Sequence, residues 1–437
     1  MSIVRNYCTG VKISFHKINT SLRHSSFKGR KIFNDPVYGF ITVGHPLLFD
    51  LIEHACFQRL RRIRQLGMTD MVYPGALHTR FHHSMGAMFL MNHAIQSLRL
   101  KGVDISEQEA LDAATAILLH DIGHGPFSHA LENSIIESID HEVISRLYMD
   151  KLNTLFGGAL EGAISIFSNT CHKKFLHQLV SSQLDMDRLD YLKRDSFYTG
   201  VSEGVVNAER IIKMLYVHDD KIVVEEKGIY SIEKFIIARR LMYWQVYLHK
   251  TVLSAENMLI NILRRARELS LAGRKLFATP ELAFFLENRI RKQEIIHDGS
   301  MLERFSRLDD FDIYAAIKIW VNDDDPVLSR LCRNLLNREL FACELENEPF
   351  REEKLDCIAR AISERYGLKE HEASYFMVSD STENYAYHPQ SDKINILYKS
   401  GEVVDIANAS DQLNITVLYK TVTKYFLCYP KEFRDCS

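Results

Sequence analysis

From about residue 47 to 270, apolar and polar positions alternate with a helical period. Leu51, Ile52, Ala55, Leu60 and Ile63 recur at the spacing of one helix face, and Arg59-Leu60-Arg61-Arg62-Ile63-Arg64 sets a strongly charged face between them. Ser106 followed by Glu109 reads as a capping box that opens a helix through Leu111, Ala114, Ile117 and Leu118, with its stop at Gly123. Residues 231–265 read as another long helical stretch, carrying Tyr243, Tyr247, Val252 and Leu259. Between 217 and 230, Asp219-Asp220 separates two short strand-like runs, which predicts a hairpin. Beyond about 310 the helical runs shorten and gain charge. Within 393–427, Ile394 to Tyr398, Thr416 to Tyr419 and Tyr425 to Leu427 alternate like strands. The pattern predicts a mainly α protein with a basic, Ser/Thr-rich N-terminal arm (1–32), a helical core (33–270) and a smaller C-terminal α+β region (271–437).

Composition adds constraints without changing that picture. The 437 residues are 46% hydrophobic and 25% charged, as in ordinary globular chains, and the scarcity of glycine (20) and proline (9) favours helices over a loop-rich fold. A formal net charge of −3 gives no global argument for nucleic acid or a membrane surface as the main partner. No apolar run reaches the length of about 18 residues that a membrane span needs, and the N-terminus lacks the apolar core of a signal peptide. Eight cysteines stand singly, with no Cys-x-x-Cys pair, which argues against a zinc knuckle or a disulfide scaffold. The expected compartment is the cytoplasm.

Candidate chemistry gathers where the most apolar helix ends. The run from Ala113 to Leu119 leads directly into His120-Asp121 and puts two ligand-type side chains at the edge of a core. A buried ionised Asp is tolerated only when paired or bound to a cation. Gly123-His124-Gly125-Pro126-Phe127-Ser128-His129 and Glu132 follow, adding two imidazoles and a carboxylate around glycines that let backbone approach a ligand. Upstream, Arg80-Phe81-His82-His83-Ser84 places a histidine beside an arginine suited to phosphate. Downstream, Asp187, Tyr191 and Asp195 fall at i, i+4 and i+8 on one helical face, with Arg188 alongside.

Each of these has an ordinary structural reading when taken alone. A lone His83 is more often a surface or capping residue, and the run 185–195 is more often a solvated, salt-bridged face. Together, His83, His120, Asp121 and Asp187 make a mixed imidazole–carboxylate set suited to a divalent metal: manganese, iron, zinc, nickel or, less comfortably, magnesium. Four protein ligands leave positions open for water and a phosphate oxygen, as metal-assisted hydrolysis requires.

The order His…His-Asp…Asp resembles the HD-domain metal phosphohydrolases. The surrounding segments Gln58 to Gly67, Tyr73 to Gly86 and His120 to His129 are similar to the deoxynucleoside triphosphate triphosphohydrolases, the branch that holds the human sterile-alpha-motif HD protein and the bacterial dGTPases. The resemblance covers about 33–270 and is loose beyond. It implies metal ligation by His83, His120, Asp121 and Asp187. It makes His129 the acid that protonates the leaving 5′-oxygen, with Glu132 orienting it, and matches His124 and His141 to further active-site histidines. Arg80, Arg188, Tyr191 and Arg239 fall where the family contacts phosphates, Gln65, Leu66 and Asp195 around the deoxyribose, and Tyr247 near sugar and base. His82 stands where relatives often have Glu, and Tyr243 where the human relative has His; both bear on base preference.

The implied reaction is cleavage of a dNTP, with dGTP as a candidate preference, at the α-phosphorus to deoxynucleoside and tripolyphosphate. The implied partners are a homo-oligomer, tetramer or hexamer, and an activating dNTP. The alternatives are an HD hydrolase acting on mono- or diphosphates or signalling nucleotides, and a nucleic-acid-binding role resting on the Arg59–Arg64 stripe.

Overall fold

The computed structural model describes residues 29–127, 140–384, 387, 393–410 and 422–436. Most of the basic arm, His129, Glu132 and the strand-like run 416–419 lie outside the described residues. The protein is mainly α, with a smaller α+β part toward the C-terminus.

The first described elements are the strands β1 (Lys31–Asp35) and β2 (Gly39–Val43), paired as an antiparallel hairpin. The run expected as one helix over 51–63 is broken. It forms α1 (Pro46–Glu53), α2 (Ala55–Gln58) and a 3-10 turn Arg59–Arg62, because His54 leaves the helical region at ψ 139° and caps α2. The charged face is corrected too, since Arg59 is fully buried. Its guanidinium donates to the carbonyls of Ile122 (2.9 Å), His124 (2.8 Å) and Leu308 (3.2 Å).

The helices that frame the centre are α3 (Arg80–Leu100), α4 (Glu107–Leu119), α5 (His141–Leu155), α6 (Glu161–Phe167), α7 (Lys174–Val180) and α8 (Met186–Thr199). The helix α3 packs between α4 and α8, burying Met85, Met88, Met91 and Leu98. The Ser106–Glu109 capping box opens α4 as expected. The helix stops at Leu119, however, earlier than the Gly123 stop, because Ile122, Gly123 and His124 are drawn off the helix by Arg59 and Ser145.

After α9 (Ala208–Met214), the expected hairpin forms as β3 (Leu215–His218) and β4 (Lys221–Glu225). Asp219 and Asp220 both adopt positive φ in the two-residue turn, 48° and 58°, a conformation that short Asp side chains tolerate. The long helix expected over 231–265 is two helices, α10 (Ile229–Met242) and α11 (Lys250–Leu271), separated by a π-helical turn Tyr243–Tyr247 and a cap at His249.

Further helices, among them α12 (Asp310–Trp320) and α13 (Pro326–Leu336), pack on α11 and on one another. The strands β5 (Ala342–Glu346), β6 (Val378–Asn384) and β9 (Val422–Tyr429) form one antiparallel sheet in the order β5-β9-β6. The short strands β7 (Asn395–Leu397) and β8 (Val403–Asp405) extend the other sheet, where β7 pairs parallel to β4. One hydrophobic core runs from Ile41 to Phe433, so the change of pattern near 270 is not a gap in packing. Among the described residues no helix is long and apolar enough to cross a membrane.

The N-terminus of α12 ties the C-terminal part to the centre. Asp310 accepts the backbone N–H of Arg64 (2.9 Å) on one oxygen and that of Phe127 (3.0 Å) on the other, and holds Phe127 at φ 52°. Burial pushes the Asp310 carboxyl up to about 7, against the two N–H donors and Arg64, which pull it down. Between about pH 4 and this value the folded chain keeps a proton that the unfolded chain has released. The contribution of Asp310 to stability therefore falls as pH rises through that window and is level above it. Asp310→Asn, which cannot ionise, is expected to gain on the wild type from about pH 4 to 7 in urea unfolding. Parallel stability curves for the two proteins contradict that assignment.

Candidate metal centre

The centre forms where the N-terminus of α3, the end of α4 and the N-terminus of α8 meet. On α3, His83 is fully buried, and its Nδ1 donates to Asp190 Oδ2 at 2.8 Å. On the turn after α4, His120 Nδ1 donates to the carbonyl of Ile117 at 2.6 Å. Both acceptors lack a proton of their own, so each ring keeps a hydrogen on Nδ1 and turns Nε2 inward. On α8, Asp185 is the N-cap, accepting the N–H of Arg188 at 2.7 Å, and Asp187 follows in the first turn, where the helix end favours a carboxylate.

These atoms converge. His83 Nε2 lies 3.0 Å from Asp187 Oδ1, 3.3 Å from His120 Nε2 and 3.8 Å from Asp121 Oδ2. His120 Nε2 lies 3.4 Å from Asp121 Oδ1 and 3.5 Å from Asp187 Oδ1. Donors each about 2.1 Å from a common ion are about 3.0–3.5 Å apart in octahedral or tetrahedral arrangements, so the set fits a divalent metal. His83, His120 and Asp187 form one group of donors able to hold an ion, and Asp121, His124 and His141 form a second beside it.

The electrostatics point the same way. Burial opposes a charge on His83, but hydrogen bonds to Asp187 and Asp190 outweigh it and push the imidazole up to about 10. His120 is also raised: burial pulls it down, and the neighbouring charges of Asp121 and Asp187 more than compensate. Burial would raise both carboxylates, yet His120 and His124 hold Asp121 far below its usual range, as His120 and His83 do Asp187. The two buried carboxylates favour positive charge on the groups between them. Such a set is suited to a cation.

The other expected residues surround this point. Arg80 hydrogen-bonds Asp121 from the first turn of α3. His124 stacks on His141 at the start of α5, with ring centroids 3.8 Å apart, and His124 Nε2 lies 3.4 Å from Asp121 Oδ1. Burial and the charge of Arg80 hold His124 well below its usual range.

Along α8 the lining changes character. Arg188 Nη1 donates to the Tyr191 hydroxyl at 3.5 Å, and Tyr191 meets Tyr247 edge-on at 6.2 Å. The π turn brings Tyr243 against Tyr247 (5.2 Å), with the Arg239 guanidinium 5.9 Å from the Tyr243 ring. The Tyr247 hydroxyl donates to Asp195 Oδ2 at 2.8 Å, and His78 Nε2 lies 2.8 Å from Asp195 Oδ1. The carbonyl of His78 accepts the N–H of Gln65 at 3.0 Å, which links Gln65 through His78 to Asp195. The Gln65 Oε1 atom is buried with no hydrogen-bond partner. His82 bonds its own N-cap, with Nδ1 3.0 Å from the Thr79 hydroxyl.

Several residues that hold this arrangement were not singled out by the sequence. Ser145 accepts the N–H of Gly123 at 2.9 Å and donates to the carbonyl of His120 at 2.7 Å. Asp190 orients His83, Arg194 braces Asp190, and His78 links Gln65 to Asp195. The available signal was a run of polar residues on helix faces that must be buried.

A helical scaffold that gathers His, His-Asp and Asp around one point defines the HD class of centre. Residues 80–195 match the HD domain family and residues 206–285 the HD associated region. The chain is 34% identical over 420 residues to the uncharacterized protein YwfO of Bacillus subtilis (strain 168), covering 92% of each chain. It is 30% identical over 290 residues to the deoxynucleoside triphosphate triphosphohydrolase SAMHD1 homolog of Dictyostelium discoideum, covering 62% of this chain and 56% of that one. Of solved structures, a phosphohydrolase from Bacteroides thetaiotaomicron VPI-5482 is 53% identical with a TM-score of 0.89, covering 92% of this chain and 99% of that one. The chain belongs to the HD-domain phosphohydrolase family.

A Cβ at Gly123 would press on the carbonyl oxygen of His141 and the backbone nitrogen of Ser145, atoms that cannot swing aside. Gly123→Ala is expected to lose about 1–3 kcal/mol of stability and to weaken divalent-metal binding by moving the turn after His120. Unchanged unfolding and unchanged metal titration would show that the contact yields freely.

Proposed function

We propose that this protein hydrolyses deoxynucleoside triphosphates at the α-phosphorus, releasing deoxynucleoside and tripolyphosphate. One observation carries the reading: a single face of α8 joins a metal-type centre at Asp187 to an arginine–tyrosine–carboxylate lining at Arg188, Tyr191 and Asp195. Eight residues of helix span about 12 Å, which leaves room for a phosphoryl group at one end and a sugar at the other.

His83, His120, Asp121 and Asp187 would hold the divalent ion, and the mixed donor set suits manganese, iron or magnesium as well as zinc or nickel. When bound, such an ion supplies Lewis acidity toward a phosphoryl oxygen and a more acidic water. Arg80, Arg188 and Arg239 offset charge on the triphosphate. Tyr247, Asp195, Gln65 and Leu66 meet the deoxyribose, with Tyr191 and Tyr243 completing the wall. His124 and His141 lie beside Asp121. His129, oriented by Glu132, delivers the proton to the departing 5′-oxygen. The SAMHD1 relatives are named for this activity, and the chain spans about half their length. A homo-oligomer of four or six chains, an activating dNTP, a preference for dGTP and a cytoplasmic location belong to the same reading by resemblance.

The test incubates the protein with each dNTP and each NTP, with Mn²⁺ or Mg²⁺, and separates the products chromatographically. Tripolyphosphate and deoxynucleoside are expected, with a loss of at least about 10²-fold in rate in His120→Ala/Asp121→Ala and upon chelation. Nucleoside monophosphates as the sole products would sink the reading; equal hydrolysis of ribonucleotides would sink its deoxy specificity. Light scattering is expected to give a mass of several chains, and a concentration-independent monomer contradicts the oligomer.

A further inference from the structure

The strand β1 ends on a buried carboxylate that serves both a turn and an arginine. Asp35 Oδ1 accepts the N–H groups of Val37 (2.9 Å) and Tyr38 (3.0 Å) and shapes the turn into β2. Asp35 Oδ2 takes Nη1 of Arg194 at 2.8 Å, and Oδ1 takes Nη2 of the same guanidinium at 3.4 Å. Arg194 reaches the other way to Asp190, Nε to Oδ2 at 2.9 Å and Nη2 to Oδ1 at 3.0 Å. Asp190 Oδ2 in turn accepts Nδ1–H of His83 at 2.8 Å. Asp35 is 7% exposed and the other three 0%, so the whole chain of contacts is shielded from water. Gly86 makes room for it, because a Cβ there would collide with Asp190 and Arg194.

We infer that Asp35 is a positioning residue for the metal centre, acting through Arg194 and Asp190 on the orientation and donor strength of His83 Nε2. The inference rests on the reading of His83 as a metal-holding residue. It reaches outside the segment that matches the HD domain, which begins at residue 80.

The turn does not by itself call for a charge, since one oxygen meets both of its N–H groups and an amide oxygen would do the same. The second oxygen serves Arg194 alone, at 2.8 Å, with the longer contact to Oδ1 completing the fork. A guanidinium shared between two carboxylates withdraws less charge from each than it would from one alone. With Asp35 in place, Asp190 keeps more of its charge for His83, and a carboxylate-backed imidazole is the better metal donor. Neutralising Asp35 leaves Arg194 with one buried counter-ion, draws it onto Asp190 and weakens the bond to His83.

The experiment is calorimetric titration of the full chain with Mn²⁺ alone, without nucleotide, beside thermal unfolding of each protein. Asp190→Asn is expected to weaken Mn²⁺ binding by about 10–100-fold, and Asp35→Asn by about tenfold, the low end of that range. Because Asp35 acts through Asp190, the double variant is expected to bind no more weakly than Asp190→Asn. Wild-type Mn²⁺ affinity in a folded Asp35→Asn, or fully additive losses in the double variant, would overturn the inference and leave Asp35 a turn residue. If Asp35→Asn does not fold, Arg194→Lys keeps the charge and loses the fork; it is expected to weaken Mn²⁺ binding, and wild-type affinity there would overturn the inference too. A wild type that binds no Mn²⁺ overturns the metal reading and this inference with it. Tight Mn²⁺ binding without dNTP hydrolysis leaves the inference standing and removes only the substrate.

Discussion

His83 donates its Nδ1 proton to Asp190, and the centre is arranged around that hydrogen bond. Both groups are wholly removed from water, where an ionised carboxylate survives only with a cation and a donor beside it. Arg194 supplies the cation, and burial, which alone would raise Asp190, is overcome by Arg194 and His83, so the carboxyl is held below its usual range. The bond also fixes a crossing. It joins α3 to α8 where Gly86 lets them approach, and so decides where Asp187, one turn before Asp190, meets the imidazole.

The turn that carries His120 and His124 depends on distant parts of the chain in the same manner. The carbonyls of Ile122 and His124 go to Arg59, the N–H of Gly123 to Ser145 and that of Phe127 to Asp310. No element within the turn pairs these groups, and an unpaired buried backbone group costs about 1–3 kcal/mol. The partners come from before α3, from α5 and from α12. This is why the C-terminal helices share one core with the centre, although their own sequence carries none of the expected ligands. A bulky residue, Phe127, is held at positive φ there, a conformation that persists only when its surroundings over-determine it.

Much of this was legible in the sequence because it is local. The i, i+4, i+8 face of Asp187, Tyr191 and Asp195, the Ser106–Glu109 box and the Asp219-Asp220 turn each follow from spacing within one element. What escaped was the product of tertiary contact. Arg59 reads as part of a charged stripe, yet three carbonyls from elsewhere draw it into the core. Residues 231–265 read as one helix because a π turn preserves the apolar composition while shifting its phase at Tyr243–Tyr247. Asp190 and Arg194 sit in the same segment as Asp187, but their burial depends on Gly86, a neighbour that only the fold supplies. The set of His83, His120, Asp121 and Asp187 was named from order and resemblance; their convergence on one point is a product of the α3, α4 and α8 packing.

The lining beyond the metal-type end poses a separate constraint. Both oxygens of Asp195 are engaged, by Tyr247 and His78, whereas Gln65 Oε1, two links away through the backbone of His78, is buried without a partner. A neutral acceptor left in that condition is unfavourable unless a donor arrives. Under the proposed function, a sugar hydroxyl entering beside α8 would supply such a donor next to an aromatic wall, while the phosphates of the same ligand would meet Arg188 and Arg239. Recognition and chemistry would then share α8 as a common ruler. A change that rotates this helix about the His83–Asp190 bond would move the two ends together rather than one at a time.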